Sequence, residues 1–160
     1  MRRLLRLASA SAVLLLTGAC SSDPVSVREA DPATASYAAA LNVNIAEMTR
    51  TNRGLYYLDV TEGNGTPVVG GDHVLVHYTG WFVNGTQFDT SRDGEGPIDF
   101  VLGRGEVIQG WEQGLAGMKI GGRRRLVVPP SLGYGENGYR GIPGNAILVF
   151  DVELVNVLND

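Results

Sequence analysis

Few residues in this chain can do chemistry, and their spacing removes most reactions. Cys20 is the only cysteine, so no disulfide can form within the chain. His73 and His77 are the only two histidines. On a helix, four positions would let them share a metal ion. They alternate instead with Val74 and Val76 in a strand-like run, where a rise of about 3.3 Å per residue sets them roughly 13 Å apart. The metal reading fails. Gly133 to Gly138 has the spacing G-x-G-x-x-G of a dinucleotide loop, but it follows Pro129-Pro130 and runs into Gly141, Ile142, Pro143 and Gly144. No helix can start there, so a phosphate would lack its helix N-terminus; a flexible loop fits better. Arg123-Arg124-Arg125 reads as a solvated strand end, with one arginine stem packing beside Leu126 or Val127 while its head reaches water. Asp89 is either a turn residue or the polar member of a site. Trp111 is either core or the floor of a binding site. Residue type alone leaves both open.

The two ends bound where such a site would work. Arg2, Arg3 and Arg6 precede an apolar stretch from Leu4 to Leu16, and Thr17-Gly18-Ala19 leads into Cys20. This is the layout of an export signal, too short for a bilayer span of about 20 residues. Residues 1–19 are therefore expected to be a signal peptide, and Cys20 a lipid attachment site, because Leu16 to Cys20 resembles a bacterial lipobox. Several acyl chains there would anchor firmly where one alone would not. Loss of Arg2, Arg3 and Arg6 leaves 10 of the 13 basic residues against 17 acidic ones, a net charge of −7. That balance does not suit nucleic acid. Residues 20–53, rich in Ala, Ser, Asp and Thr, are expected to be a flexible tether, with a short helix between Tyr37 and Met48.

From Gly54 onward the pattern changes to strands. Leu55 to Val60 is rich in strand formers and ends at Gly63-Asn64-Gly65. Val74, Val76 and Tyr78 alternate with His73, Leu75 and His77. Asn84-Gly85 between Trp81–Val83 and Thr86–Phe88 predicts a hairpin. Ile98 to Leu102, Arg123 to Val128 and Ile147 to Val157 predict three more strands. Only Gln109 to Gly117 reads as helix, with Trp111 and Leu115 as an i,i+4 apolar pair and Gly117 as its stop. The fold class is α+β, an antiparallel sheet with one short helix.

Five strings then resemble one family in order and spacing. They are Val76–Gly80, Gly85–Arg92, Glu106–Trp111, Gly133–Gly135 and Leu148–Leu154. Residues 54–158 resemble the FKBP-type peptidyl-prolyl isomerases. The resemblance implies a half-wrapped sheet around the short helix, with the active site between them. It implies Trp111 as the floor beneath a proline ring, and Tyr78, Phe88, Val107, Ile108 and Phe150 as walls. Asp89 and the Tyr134 hydroxyl would be the polar members, with the Ile108 N–H as a further donor. Ile98, Phe100, Tyr139 and Ile142 would lie at the cleft periphery. The sequence departs from the family pattern at Gly94, where an arginine commonly supports the aspartate, at Ile98 and Tyr139, and in a loop shortened before Pro143.

Such a site uses no nucleophile, metal or cofactor. The expected partners are X-Pro segments of exported polypeptides, macrolide inhibitors, and the membrane through the lipid; the protein is expected to be a monomer. The rival reading is a tethered module of the same fold that holds proline segments without turning them over.

Overall fold

A computed structural model describes residues 30–94 and 96–158. Residues 1–19, expected to be a signal peptide, and Cys20, expected to carry lipid, lie outside the described residues. Among the described residues, seven strands form one antiparallel sheet: β1 (Thr49–Arg50), β2 (Tyr56–Thr61), β3 (His73–Phe82), β4 (Gln87–Thr90), β5 (Ile98–Val101), β6 (Arg123–Val128) and β7 (Leu148–Leu158). Their order is β1-β2-β6-β7-β3-β4, with β5 paired to the first half of β3. One helix, α1 (Gln109–Gly114), lies against one face.

Alternation decides which side chains meet that helix. Val74 and Val76 of β3, Leu126 and Val128 of β6, and Leu148, Phe150, Val152 and Leu154 of β7 are buried in one cluster with Trp111 and Leu115. The helix can sit this close because two of its residues have no side chain. A Cβ on Gly110 would meet Val128 Cγ1 at 2.5 Å, and one on Gly114 would meet Leu126 Cδ1 at 2.7 Å. Glycine weakens a helix by about 1 kcal/mol against alanine; here it is retained where the sheet leaves no space.

The arginine triplet divides by the same alternation. Arg124 points toward the helix, and its side chain is only 9% exposed. It makes two bonds to the Asp59 carboxylate, at 2.7 and 3.0 Å, and donates to the Gly114 and Ala116 carbonyls at 2.8 and 3.2 Å. It thus caps the C-terminus of α1 with a cation, where orphan carbonyls and the helix dipole favour one. The expected solvated strand end is corrected at this residue: the head does not reach water but replaces it.

The opposite face of the sheet is also covered. Leu41, Tyr56, Val127, Ile147 and Val149 form a second buried cluster, against which Ala30, Tyr37, Ala38, Val43, Ile45 and Met48 pack. Arg125 holds this covering segment. It grips Asp151 with two bonds, at 2.6 and 2.7 Å, and also donates to the Leu41 and Asn42 carbonyls. Ala38 N–H donates to Val83 O at 2.8 Å, and β1 pairs with β2. Of residues 20–53, expected to be a flexible tether, residues 30–53 are therefore part of the packed body, and residues 20–29 lie outside the described residues. The short helix expected between Tyr37 and Met48 is two separate 3-10 turns, Ala39–Leu41 and Ile45–Glu47, split where Asn42 takes a left-handed φ of 48°. Leu41 and Tyr37 gain from burial what composition alone did not predict.

Candidate active site

The site is built where β3, β4 and β7 face the segment that enters α1. Tyr78 comes from β3, Phe88 and Asp89 from β4, Ile98 from β5, and Phe150 from β7. Glu106, Val107 and Ile108 precede the helix, Trp111 is in its first turn, and Tyr134 and Tyr139 come from the long loop before β7. These eleven residues line one cleft of about 290 Å³.

Trp111 is buried, and two aromatic rings pack edge-on to its indole: Tyr78 at 4.9 Å and 78°, and Phe150 at 5.4 Å and 85°. Phe88 stands edge-on to Phe150 at 5.6 Å. Edge-to-face contacts of this kind each add about 0.5–1.5 kcal/mol beyond burial and fix ring orientation. The indole Nε1 is buried without an acceptor among the described residues, so the floor is apolar at a cost in hydrogen bonding. Gly80 makes the aromatic cluster feasible. Its Cβ would lie 2.7 Å from Phe88 Cζ and 2.9 Å from Phe150 Cε1.

The polar members are held individually. The Tyr78 hydroxyl donates to Asp89 Oδ2 at 2.6 Å, and the Thr90 N–H donates to Oδ1 at 2.9 Å. Buried Ser91 fixes the same strand pair through its Oγ, which accepts from Tyr78 N–H at 2.9 Å and lies 2.9 Å from His77 Nδ1. Asp89 thus has donors without an arginine at position 94. Gly94 has φ 110°, a conformation that a side chain disfavours. Ile108 is the N-cap residue of α1, and its carbonyl accepts from the Trp111 and Glu112 N–H groups. Its own N–H precedes the helix and owes nothing to it. Glu112 ties down the preceding loop, accepting from Gly103 N–H and from Gly105 N–H at 2.7 Å.

Tyr134 is half-buried and stacks on Tyr139, with centroids 5.6 Å apart and planes 7° apart. Burial pushes the Tyr134 phenol above its ordinary value, helped by the Asp89 carboxylate and Tyr139. It stays a hydroxyl donor well into alkaline solution. No helix follows Gly138; residues 133–144 form a loop at the cleft instead.

The residues expected to meet do so with two exceptions. Phe100 and Ile142 were expected at the cleft periphery, and neither lines it. Phe100 is buried on β5, supporting Trp111 at 6.2 Å, because its strand position points it into the core. Ile142 pairs with Tyr139 across a turn and packs on the core cluster. Glu106 and Gly80 are the residues that sequence reasoning missed. Glu106 opened one matched string and Gly80 closed another, so the signal was there; only the backbone geometry gave them a role.

The comparisons agree with this geometry. A family model described as FKBP-type peptidyl-prolyl cis-trans isomerase matches residues 65–155. The chain is 50% identical over 105 residues to an FK506-binding protein of Neisseria meningitidis serogroup B, covering 65% of this chain and 96% of that one. It is 51% identical over 88 residues to FK506-binding protein 2 of Dictyostelium discoideum, covering 54% of this chain and 66% of that relative. Among solved structures, FkpA from Escherichia coli superposes with a TM-score of 0.65 at 42% identity, over 69% of this chain and 51% of that one. AtFKBP13 superposes at 0.66 and 36% identity, over 70% and 99%. With the aromatic cleft, the sheet around one helix and these matches together, the chain belongs to the FKBP-type peptidyl-prolyl cis-trans isomerase family.

Proposed function

We propose that this protein accelerates X-Pro isomerisation in exported polypeptides by binding the twisted imide in the cleft over Trp111. The amide barrier of about 18–20 kcal/mol comes from partial double-bond character. Twisting the bond by a quarter turn removes resonance and much of the charge separation. A dry aromatic cleft favours that state over the planar one, whose polar carbonyl is better solvated by water. A millionfold acceleration needs about 8 kcal/mol of such preference. The observation that carries the reading is the ring arrangement: Tyr78 and Phe150 stand edge-on to one indole in an open cleft.

In this mechanism Trp111 is the floor, and Tyr78, Phe88, Val107, Ile108 and Phe150 are the walls. Tyr134 and the Ile108 N–H donate to substrate carbonyls, and Asp89 orients Tyr78. No proton is transferred. Macrolides of the kind that name the relatives would compete for the same surface. Export by residues 1–19 and acylation at Cys20 would set the enzyme at the cell envelope, on the periplasmic side in a cell with two membranes.

Proline-limited refolding of a reporter protein, with and without the purified protein, tests the activity. Trp111→Leu and Phe88→Ala should each lower kcat/KM at least tenfold while leaving the fold intact by circular dichroism. Uncatalysed rates with folded wild-type protein would remove the proposal. Metabolic labelling with a fatty acid tests the anchor, and label retained in Cys20→Ser would exclude acylation at that thiol.

A further inference from the structure

Next to a residue that lines the cleft stands a cation, Arg140, that the isomerase reading does not use. Arg140 follows Tyr139, whose ring lines the cleft. The turn that carries both is closed twice: Tyr139 N–H donates to Ile142 O at 3.0 Å, and Ile142 N–H returns to Tyr139 O at 2.8 Å. Its two central residues, Arg140 and Gly141, have φ of 39° and 91°, the signs of a type I′ turn. That position favours Asn or Gly, and an arginine there is held in a conformation it disfavours.

The loop beneath has little freedom to relax. A Cβ on Gly138 would lie 2.1 Å from Ile142 O, and one on Gly144 would lie 1.9 Å from Glu136 O. The guanidinium carbon sits 5.2 Å from the Tyr139 ring centroid, and Tyr139 stacks in turn on Tyr134. Arg92, Arg123, Arg124 and Arg125 each pair with a carboxylate, whereas Arg140, like Arg50, Arg53 and Arg104, pairs with none among the described residues, Glu136 of its own loop included.

The cleft lining has the opposite sign. Asp89 and Glu106 line it, and no lysine or arginine does so among the described residues. Within the lining a substrate carboxylate would therefore meet only like charge, and Arg140 is the cation that lies over the ring of a lining residue. We propose that Arg140 is a specificity residue, which admits peptides carrying a carboxylate within a few residues of the proline. The stacked tyrosines hold its charge at the rim, so the peptide end nearest Tyr139 is the one selected. This inference rests on the isomerase reading of the same cleft.

The test measures kcat/KM by NMR exchange on three matched proline peptides bearing Glu, Gln or Lys beside the proline, at low ionic strength. The Glu peptide should exceed the Lys peptide by about threefold, the size of an exposed ion pair. The difference should shrink in high salt. Arg140→Gln should reverse the order, since Asp89 and Glu106 then act alone, and leave the Gln peptide within twofold of wild type. A Glu-to-Lys ratio unchanged in Arg140→Gln would overturn the inference. So would a loss for the Gln peptide as large as for the Glu peptide. If wild type turns over none of the three, the isomerase reading fails instead. Peptide titrations followed on the Tyr134 and Tyr139 resonances then decide the Arg140 question by affinity, against the same two outcomes.

Discussion

Replacing each of three consecutive arginines by alanine should give three different losses of stability. Arg124 is the severe case. Its Nη1 donates to Gly114 O in a buried environment and to Ala116 O in a partly buried one. A hydrogen bond to a charged group contributes about 1.5–3 kcal/mol, and a buried carbonyl left without a donor loses it in full. Asp59 is half-exposed and rehydrates, so its two bonds contribute little more than a surface pair. The guanidinium also lies 4.7 Å from the Tyr57 ring, a contact of about 0.5–1 kcal/mol. Arg124→Ala should therefore cost about 3 kcal/mol, or roughly 10 °C in Tm for a folded body of this size. Arg125, partly buried, grips Asp151 and two carbonyls, for about 1.5 kcal/mol. Arg123 is 55% exposed and only 3.8 Å from Glu153, for about 0–0.5 kcal/mol. Urea unfolding followed by tryptophan fluorescence, with the m-value compared across variants, measures all three. An Arg124→Ala midpoint indistinguishable from that of Arg123→Ala, at equal m, would refute the capping argument.

Other expectations follow from the same packing. Leu41→Ala should cost about 2–4 kcal/mol by opening a cavity against Val127 and Val149; a loss under 0.5 kcal/mol in denaturant titration would return residues 30–53 to the status of a tether. Gly114→Ala should destabilise by about 1–3 kcal/mol despite alanine's better helix propensity, because Leu126 must move; calorimetry showing a gain would contradict the close approach. Tyr37 and Tyr134 have phenols raised chiefly by burial, so between the unfolded value of about 10 and their folded values the unfolded chain releases protons that the native one keeps. Stability from these groups is complete below about pH 10 and falls as pH rises above it. Ultraviolet titration of the folded protein should show Tyr37 and Tyr134 ionising above the ordinary phenol value of about 10, and ionisation of both at that value would count against their burial.

How much of this was legible in the amino-acid order depends on the kind of information each feature uses. The strands were readable because alternation at Val74, Val76 and Tyr78 is local, and the hairpin because Asn84-Gly85 specifies a turn through its own backbone. The helix was readable from Trp111 and Leu115, but it ends at Gly114, three residues short of the stop that Gly117 suggested, with Leu115 as its C-cap. Residues 30–53 were misread because their large apolar residues are few and irregularly spaced. Leu41 becomes a core residue, and Tyr37 packs beside it, only when Val127 and Val149 present a surface to cover.

Periodicity by itself determined that the residues from Gly54 onward form an antiparallel sheet around a short helix, and the matched strings determined which cleft their aromatics share. Tertiary structure alone decided which arginine of three is buried, that Gly80, Gly110 and Gly114 are spaces for other residues' rings and methyls, and that Phe100 supports the floor from behind. The physical reason is that propensity and alternation act through neighbours in the chain. A close contact between β6 and α1, or between Arg125 and Leu41, exists only once the sheet has brought them together.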